Sequence, residues 1–170
     1  MVQTTVTNEV FATGIPGEPA RSNGIDTKGA VLNSASEANN VVGRAVKYVD
    51  GNDFEIGVAA DGNFAGLLVL PKTAYRFSLA VQAYLPNDSQ VTYARAGYWF
   101  VSLPATAKKG DYVYYSDTTG ALITAAPDAA PTVGYTRLPG GKVEDFNVTG
   151  ASVGIIYFDA RSGSTETPTA

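Results

Sequence analysis

Apolar positions recur along this chain with a period of two, and that period predicts strands where a helix would need three or four. The clearest run sets Tyr75, Phe77, Leu79 and Val81 against Arg76, Ser78, Ala80 and Gln82. In a strand the first set shares one face, whereas a helix would scatter it around its circumference. Val41–Val49 is rich in β-branched residues and ends at Asp50-Gly51, a dipeptide suited to a hairpin turn. Phe54, Ile56 and Val58 then alternate with Glu55, Gly57 and Ala59 before a second turn at Asp61-Gly62. Beyond Pro86-Asn87-Asp88, strands are expected over Val91–Leu103, Tyr112–Ser116, Ala121–Thr124, Thr132–Arg137 and Val153–Phe158. Turn signals every 8 to 12 residues or so suit a sandwich or barrel. The pattern predicts an all-β fold: a compact β-sandwich or barrel, jelly-roll or β-tulip-like.

The two ends read differently. Gly14-Ile15-Pro16-Gly17-Glu18-Pro19 cannot hold a helix, because each proline removes a donor and constrains its predecessor. The isolated apolar residues Val2, Val6, Val10, Phe11 and Ile15 are too sparse for a core. Residues 1–38 are therefore expected as an extended N-terminal arm, with a short helix opening at the capping-box spacing of Ser34 and Glu37. Residues 39–159 are expected as the body. Residues 160–170, rich in Ser, Thr, Gly and Pro, are expected as a flexible tail.

At 170 residues the chain is long enough for one self-sufficient core, burying roughly 70% of the surface its unfolded form exposes. Hydrophobic residues make up 45% and charged residues only 16%, so small polar side chains and glycine must cover much of the surface. The net charge of −4 and the lack of any basic run argue against nucleic acid and against anionic membranes as partners. The first residues, Met1-Val2-Gln3-Thr4-Thr5, show neither the charged nor the apolar region of a signal peptide. No apolar run approaches the ~20 residues of a membrane span.

Histidine and cysteine are both absent, which removes the commonest general base, the thiolate nucleophile and the usual zinc ligands. No cofactor and no metal is expected. Carboxylate pairs of the glycosidase kind remain open by residue type at Glu55, Asp61, Asp111, Asp117, Glu144 and Asp159. Most of these sit in turn-like contexts where aspartate caps backbone for ordinary reasons. Asp50-Gly51-Asn52-Asp53 begins like a calcium loop, but Phe54 and Glu55 break it. Gly140-Gly141-Lys142 looks like the end of a phosphate loop, but Val143 stands where Ser or Thr is required, so a turn is expected. Two glycosylation triplets, at Asn87 and Asn147, are read as chance matches. The ten tyrosines are expected mainly in a β core, with Tyr98, Trp99, Tyr114 and Tyr115 as candidate contact residues.

The segment Lys109-Gly110-Asp111-Tyr112-Val113-Tyr114-Tyr115, followed by Thr119-Gly120-Ala121-Leu122 and then Pro131-Thr132-Val133-Gly134, resembles an element of tailed-phage head decoration proteins. Upstream, Gly62-Asn63-Phe64-Ala65-Gly66-Leu67 looks like the "G-x-FAG(I/L)" segment of the same proteins. The chain from about residue 40 to 158 resembles a phage structural cement protein, and that family offers no catalytic residue to carry over. The resemblance implies a non-enzymatic protein on the outer capsid surface of the virion, made in the host cytoplasm. It also implies binding to the major capsid protein of a tailed phage, and self-association as a homodimer or homotrimer. Val2, Val6, Phe11 and Ile15 of the arm, with an edge near Tyr98 and Trp99, are the expected contacts. The alternative reading is a carbohydrate-binding or adhesin-like β-sandwich module, with exposed coplanar tyrosines as the sugar platform; a small β-fold glycosidase is a third.

Overall fold

One strand organises the molecule. The computed structural model describes residues 14–71, 84–129, 132–145, 148 and 150–162. Among them run nine strands: β1 (Asp26–Leu32), β2 (Ala45–Val49), β3 (Asn52–Gly57), β4 (Phe64–Leu68), β5 (Gln90–Leu103), β6 (Tyr112–Ser116), β7 (Leu122–Ala125), β8 (Tyr135–Asp145) and β9 (Ser152–Asp159). The 14-residue β5 belongs to two structures at once. Its first half pairs with β1 and β4, closing the circuit β1-β3-β2-β4-β5 into a barrel. Its second half, Ala96–Leu103, pairs with β9 and opens a further sheet in the order β5-β9-β8-β6-β7.

The fold is thus all-β and its barrel is closed, as the alternation predicts. Most expected strands lie within a few residues of β2, β3, β5, β6, β7, β8 and β9. The run Tyr75–Val81, which gives the clearest alternation of all, lies outside the described residues.

Each half has its own core. Leu32, Val46, Ile56, Leu68 and Tyr93 fill the barrel. Trp99, Leu103, Val113, Leu138, Ile156 and Phe158 form the core under the second sheet. Phe64 and Leu67, on the outside of the barrel, pack into this second core and fuse the two bodies. The Phe64 ring stacks on Tyr115 at 5.2 Å and meets Phe158 edge-on at 6.1 Å. Each such fully buried side chain contributes about 1.5–3 kcal/mol.

The expected boundary between arm and body moves toward the N-terminus. Gly17–Ala20 lies along β5 as an added edge: Gly17 N–H donates to the Phe100 carbonyl at 2.9 Å, Phe100 N–H to Glu18 at 2.9 Å, and Ala20 N–H to Tyr98 at 2.8 Å. The chain then runs on as β1, antiparallel to β5 from Ala96 back to Gln90. Residues 14–38 therefore belong to the body, whereas residues 1–13 lie outside the described residues. At the other end Ala160–Ser162 form a 3-10 turn, and residues 163–170 lie outside the described residues.

The short helix expected at Ser34–Glu37 is a single 3-10 turn, Glu37–Asn39, with no side-chain cap. The Ser34 hydroxyl is used elsewhere, accepting the buried Val58 N–H at 2.7 Å. Asn87 completes this end of the barrel: its amide accepts the Ser34 N–H at 3.0 Å and donates to the Ser34 carbonyl at 2.8 Å, as a paired strand would. Gly140-Gly141, expected as a turn, lies inside β8, where Gly140 takes φ +62° and bends the strand. In the Phe64-Ala65-Gly66 motif a side chain at Gly66 would stand 1.9 Å from the Ala94 carbonyl oxygen, so the β4–β5 approach requires glycine.

Candidate functional site

Strand parity decides which aromatic residues are available to a partner. In the register of the second sheet, Trp99 pairs with Ile156 and Ile156 with Val143, a row that faces the core. The neighbouring row is Tyr98, Tyr157, Lys142 and Tyr112, one residue from each of β5, β9, β8 and β6. Side chains on successive residues point to opposite faces, so this row stands on the outer face. Tyr98, Tyr157 and Tyr112 are half-buried and Lys142 is exposed.

Cations sit on these rings. The Arg21 guanidinium lies 4.2 Å from the Tyr98 ring centre and that of Arg137 lies 3.7 Å from Tyr112. The Lys142 ammonium is 5.8 Å from Tyr112. Tyr98 and Tyr157 contact each other at 5.0 Å with their planes tilted by 50°. That tilt does not give the coplanar platform a sugar-binding reading needs.

The candidate contact residues from the sequence therefore separate. Tyr98 is on the outer row. Trp99 is 2% exposed, its indole N–H donating to the Ala96 carbonyl at 3.1 Å, and is a core residue. Tyr114 and Tyr115 are buried as well, so three of the four aromatics proposed as contacts are withdrawn from the surface of the single chain. Burial pushes the Tyr115 phenol up to about 12. Ile15 is 43% exposed beside the added edge. Val2, Val6 and Phe11 lie outside the described residues.

Sequence reasoning missed the most exposed aromatic side chain among the described residues, Phe54, at 76%. Alternation groups it with buried Ile56, but β3 departs from that register. Tyr48 pairs with Ile56, yet the next residue, Val49, pairs with Asn52. Asp53, Phe54 and Glu55 fall between those pairs; Glu55 stays paired with Val31 of β1, while Asp53 and Phe54 are exposed on a bulge, a device that re-aims side chains. The Phe54 N–H is drawn back onto the Asn52 side chain at 3.0 Å, and the Glu55 carboxylate accepts from Asn33 at 2.9 Å. Around Phe54 the chain is acidic: between Ala45 and Leu68 it carries Asp50, Asp53, Glu55 and Asp61 against Lys47 alone.

Four of the six carboxylates considered for catalysis have structural partners, Glu55 among them. The Asp111 carboxylate accepts the Lys108 N–H at 2.7 Å, and Asp117 accepts the Thr136 hydroxyl through both oxygens, at 2.9 and 3.1 Å. Asp159 is held by Arg161 in a two-pronged pair at 2.9 and 3.0 Å, which keeps its carboxyl below the usual range. Among the described residues no group of three or more Asp or Glu side chains is placed to hold a metal ion. No helix among them is long and apolar enough to cross a membrane.

Comparison with known proteins bears on these surfaces. A family model described as structural cement protein (E217 gp24/Pam3 gp6) matches residues 2–159. No curated protein matches the chain. A solved chain from the capsid of Myoviridae phage XM1 shares the fold with a TM-score of 0.63 at 16% identity, over 93% of this chain and 97% of that one.

Proposed function

Because this chain belongs to the family of phage structural cement proteins, we propose that it binds the outer surface of an expanded phage head and clamps neighbouring major capsid subunits together. The single observation that carries this reading is the family match, which spans residues 2–159 and so includes both the N-terminal segment and the fused double body. Its place is the virion capsid, and its role there is structural rather than enzymatic.

The architecture suits a clamp. Phe64 and Leu67 lock the barrel to the second sheet, and β5 runs through both without interruption. Load applied at one end therefore reaches the other through backbone hydrogen bonds and packed side chains rather than through a linker. The protein self-associates, as a homodimer or homotrimer, so that several capsid contacts act together and their affinities multiply. Residues 1–13 act as an arm, with Val2, Val6 and Phe11 as its apolar anchors and Ile15 where it joins the body. Docking the arm costs conformational entropy, which the linked contacts offset.

The reading is tested by the heat resistance of DNA-filled heads stripped of decoration. Adding the protein back should raise the temperature at which the heads release DNA to a dye. An unchanged release temperature at saturating protein would reject the clamping role.

A further inference from the structure

The two surfaces described above are complementary to each other, and both belong to this chain. On the barrel, the β3 bulge presents the exposed Phe54 ring next to exposed Asp53, in a stretch of chain that is acidic overall. On the second sheet, the outer row presents aromatic faces interleaved with cations, Arg21 on Tyr98 and Lys142 between Tyr157 and Tyr112. We infer that the Phe54 bulge of one copy docks on the Tyr98–Tyr157–Lys142 row of a second copy.

Three observations favour a second copy as the occupant. First, Phe54 is held out by a register break: the strand gives up ladder pairs between Tyr48–Ile56 and Val49–Asn52, leaving a large apolar side chain in water. Aromatic residues presented in this way are the usual anchors of protein interfaces. Second, the acidic flank disfavours nucleic acid or an anionic lipid surface and favours a cationic site. Third, such a site exists on the same molecule, where half-buried tyrosines and the cations stacked on them form one mixed apolar and cationic surface that suits an aromatic anchor with an acidic neighbour. Bulge and row lie on different bodies of the chain, so the contact joins unlike surfaces. Used reciprocally it closes a dimer, and used head to tail it closes a ring.

This inference rests on the self-association part of the proposed function and is independent of capsid binding. Sedimentation velocity of the full chain tests it. Phe54→Ala should weaken assembly about thirtyfold, the effect expected of an anchor worth at least about 2 kcal/mol. Asp53→Lys and Lys142→Glu should each be monomeric alone, because each sets like charges against each other. Combining both changes in one chain should restore assembly, since every altered bulge then meets an altered row whether the contact closes a dimer or a ring. Circular dichroism of each variant confirms that it is folded. A monomeric native protein, or Phe54→Ala assembling as the native protein does, or a folded double variant that stays monomeric, would overturn the inference. Co-sedimentation with stripped heads is read separately: Phe54→Ala losing head binding while assembling normally would move Phe54 to the capsid contact, overturning this inference and leaving the cement reading intact.

Discussion

Inside the barrel the hydroxyls of Tyr48 and Tyr93 meet 3.0 Å apart, with the rings edge to face at 6.2 Å. Tyr93 is fully buried and Tyr48 is not, so one hydroxyl depends on the other while its partner also reaches solvent. Tyr93→Phe removes the dependent group and leaves Tyr48 able to turn to water. It should lower stability by only about 1 kcal/mol. Tyr48→Phe strands the buried Tyr93 hydroxyl and should cost more, about 1–3 kcal/mol. Urea midpoints of the two variants check the order.

The same burial sets the response to alkali. The phenols of Tyr93 and Tyr115 are both raised, chiefly by desolvation, with Tyr115 at about 12. A group whose folded pKa lies above its unfolded value of about 10 stabilises the fold fully below pH 10. That contribution is lost as pH rises from there through the folded value. The stability of the protein should therefore begin to fall above about pH 10, and the fall should be shallower in Tyr93→Phe. Denaturant midpoints between pH 8 and 11 check both.

Glycine matters at Gly66 for a different reason than at Gly51. At Gly66 a Cβ would sit 1.9 Å from backbone oxygen, which cannot swing aside. Gly66→Ala should break the β4–β5 approach and destabilise by about 3 kcal/mol or more. Gly51, at φ +75° in the β2–β3 turn, has open space where its Cβ would stand. Gly51→Ala should cost only the left-handed backbone strain, about 1–2 kcal/mol. Thermal melts of the two variants distinguish the causes.

Truncation separates the contribution of the first 13 residues from that of the described strands. Removing residues 1–13 leaves every described strand in place, so the variant should fold with a melting temperature near that of the full chain and bind stripped heads more weakly. Removing residues 1–30 deletes the Gly17–Ala20 edge and most of β1, which opens the barrel. That variant should fail to give a cooperative melt.

These results follow where sequence pattern and structure part. Strands whose inward face carries large apolar side chains, such as β5 and β9, are legible because stretches of period two survive in them, Trp99, Val101 and Leu103 in β5 and Ile156 and Phe158 in β9. β1 is not: of Asp26–Leu32 only Ala30 and Leu32 are buried, too little signal to distinguish a strand from an arm. Parity was also hard to assign locally. Tyr98 and Trp99 are adjacent, and only the pairing of Trp99 with Ile156 shows which of them faces the core. Phe54 escaped notice because a register break hides in an alternation that looks regular along the chain. The glycine motifs were visible as resemblance, and their physical cause at Gly66 is a backbone contact that no pattern of side chains reports.

Binding to the lattice of a mature phage head is tested most directly by sedimentation. Purified protein is sedimented with heads stripped of decoration, expanded shells being compared with unexpanded ones. Saturable binding to expanded shells, with little or none to unexpanded shells, is the expected result. Equal binding to both would contradict recognition of the expanded lattice, and binding to neither would contradict the cement role itself.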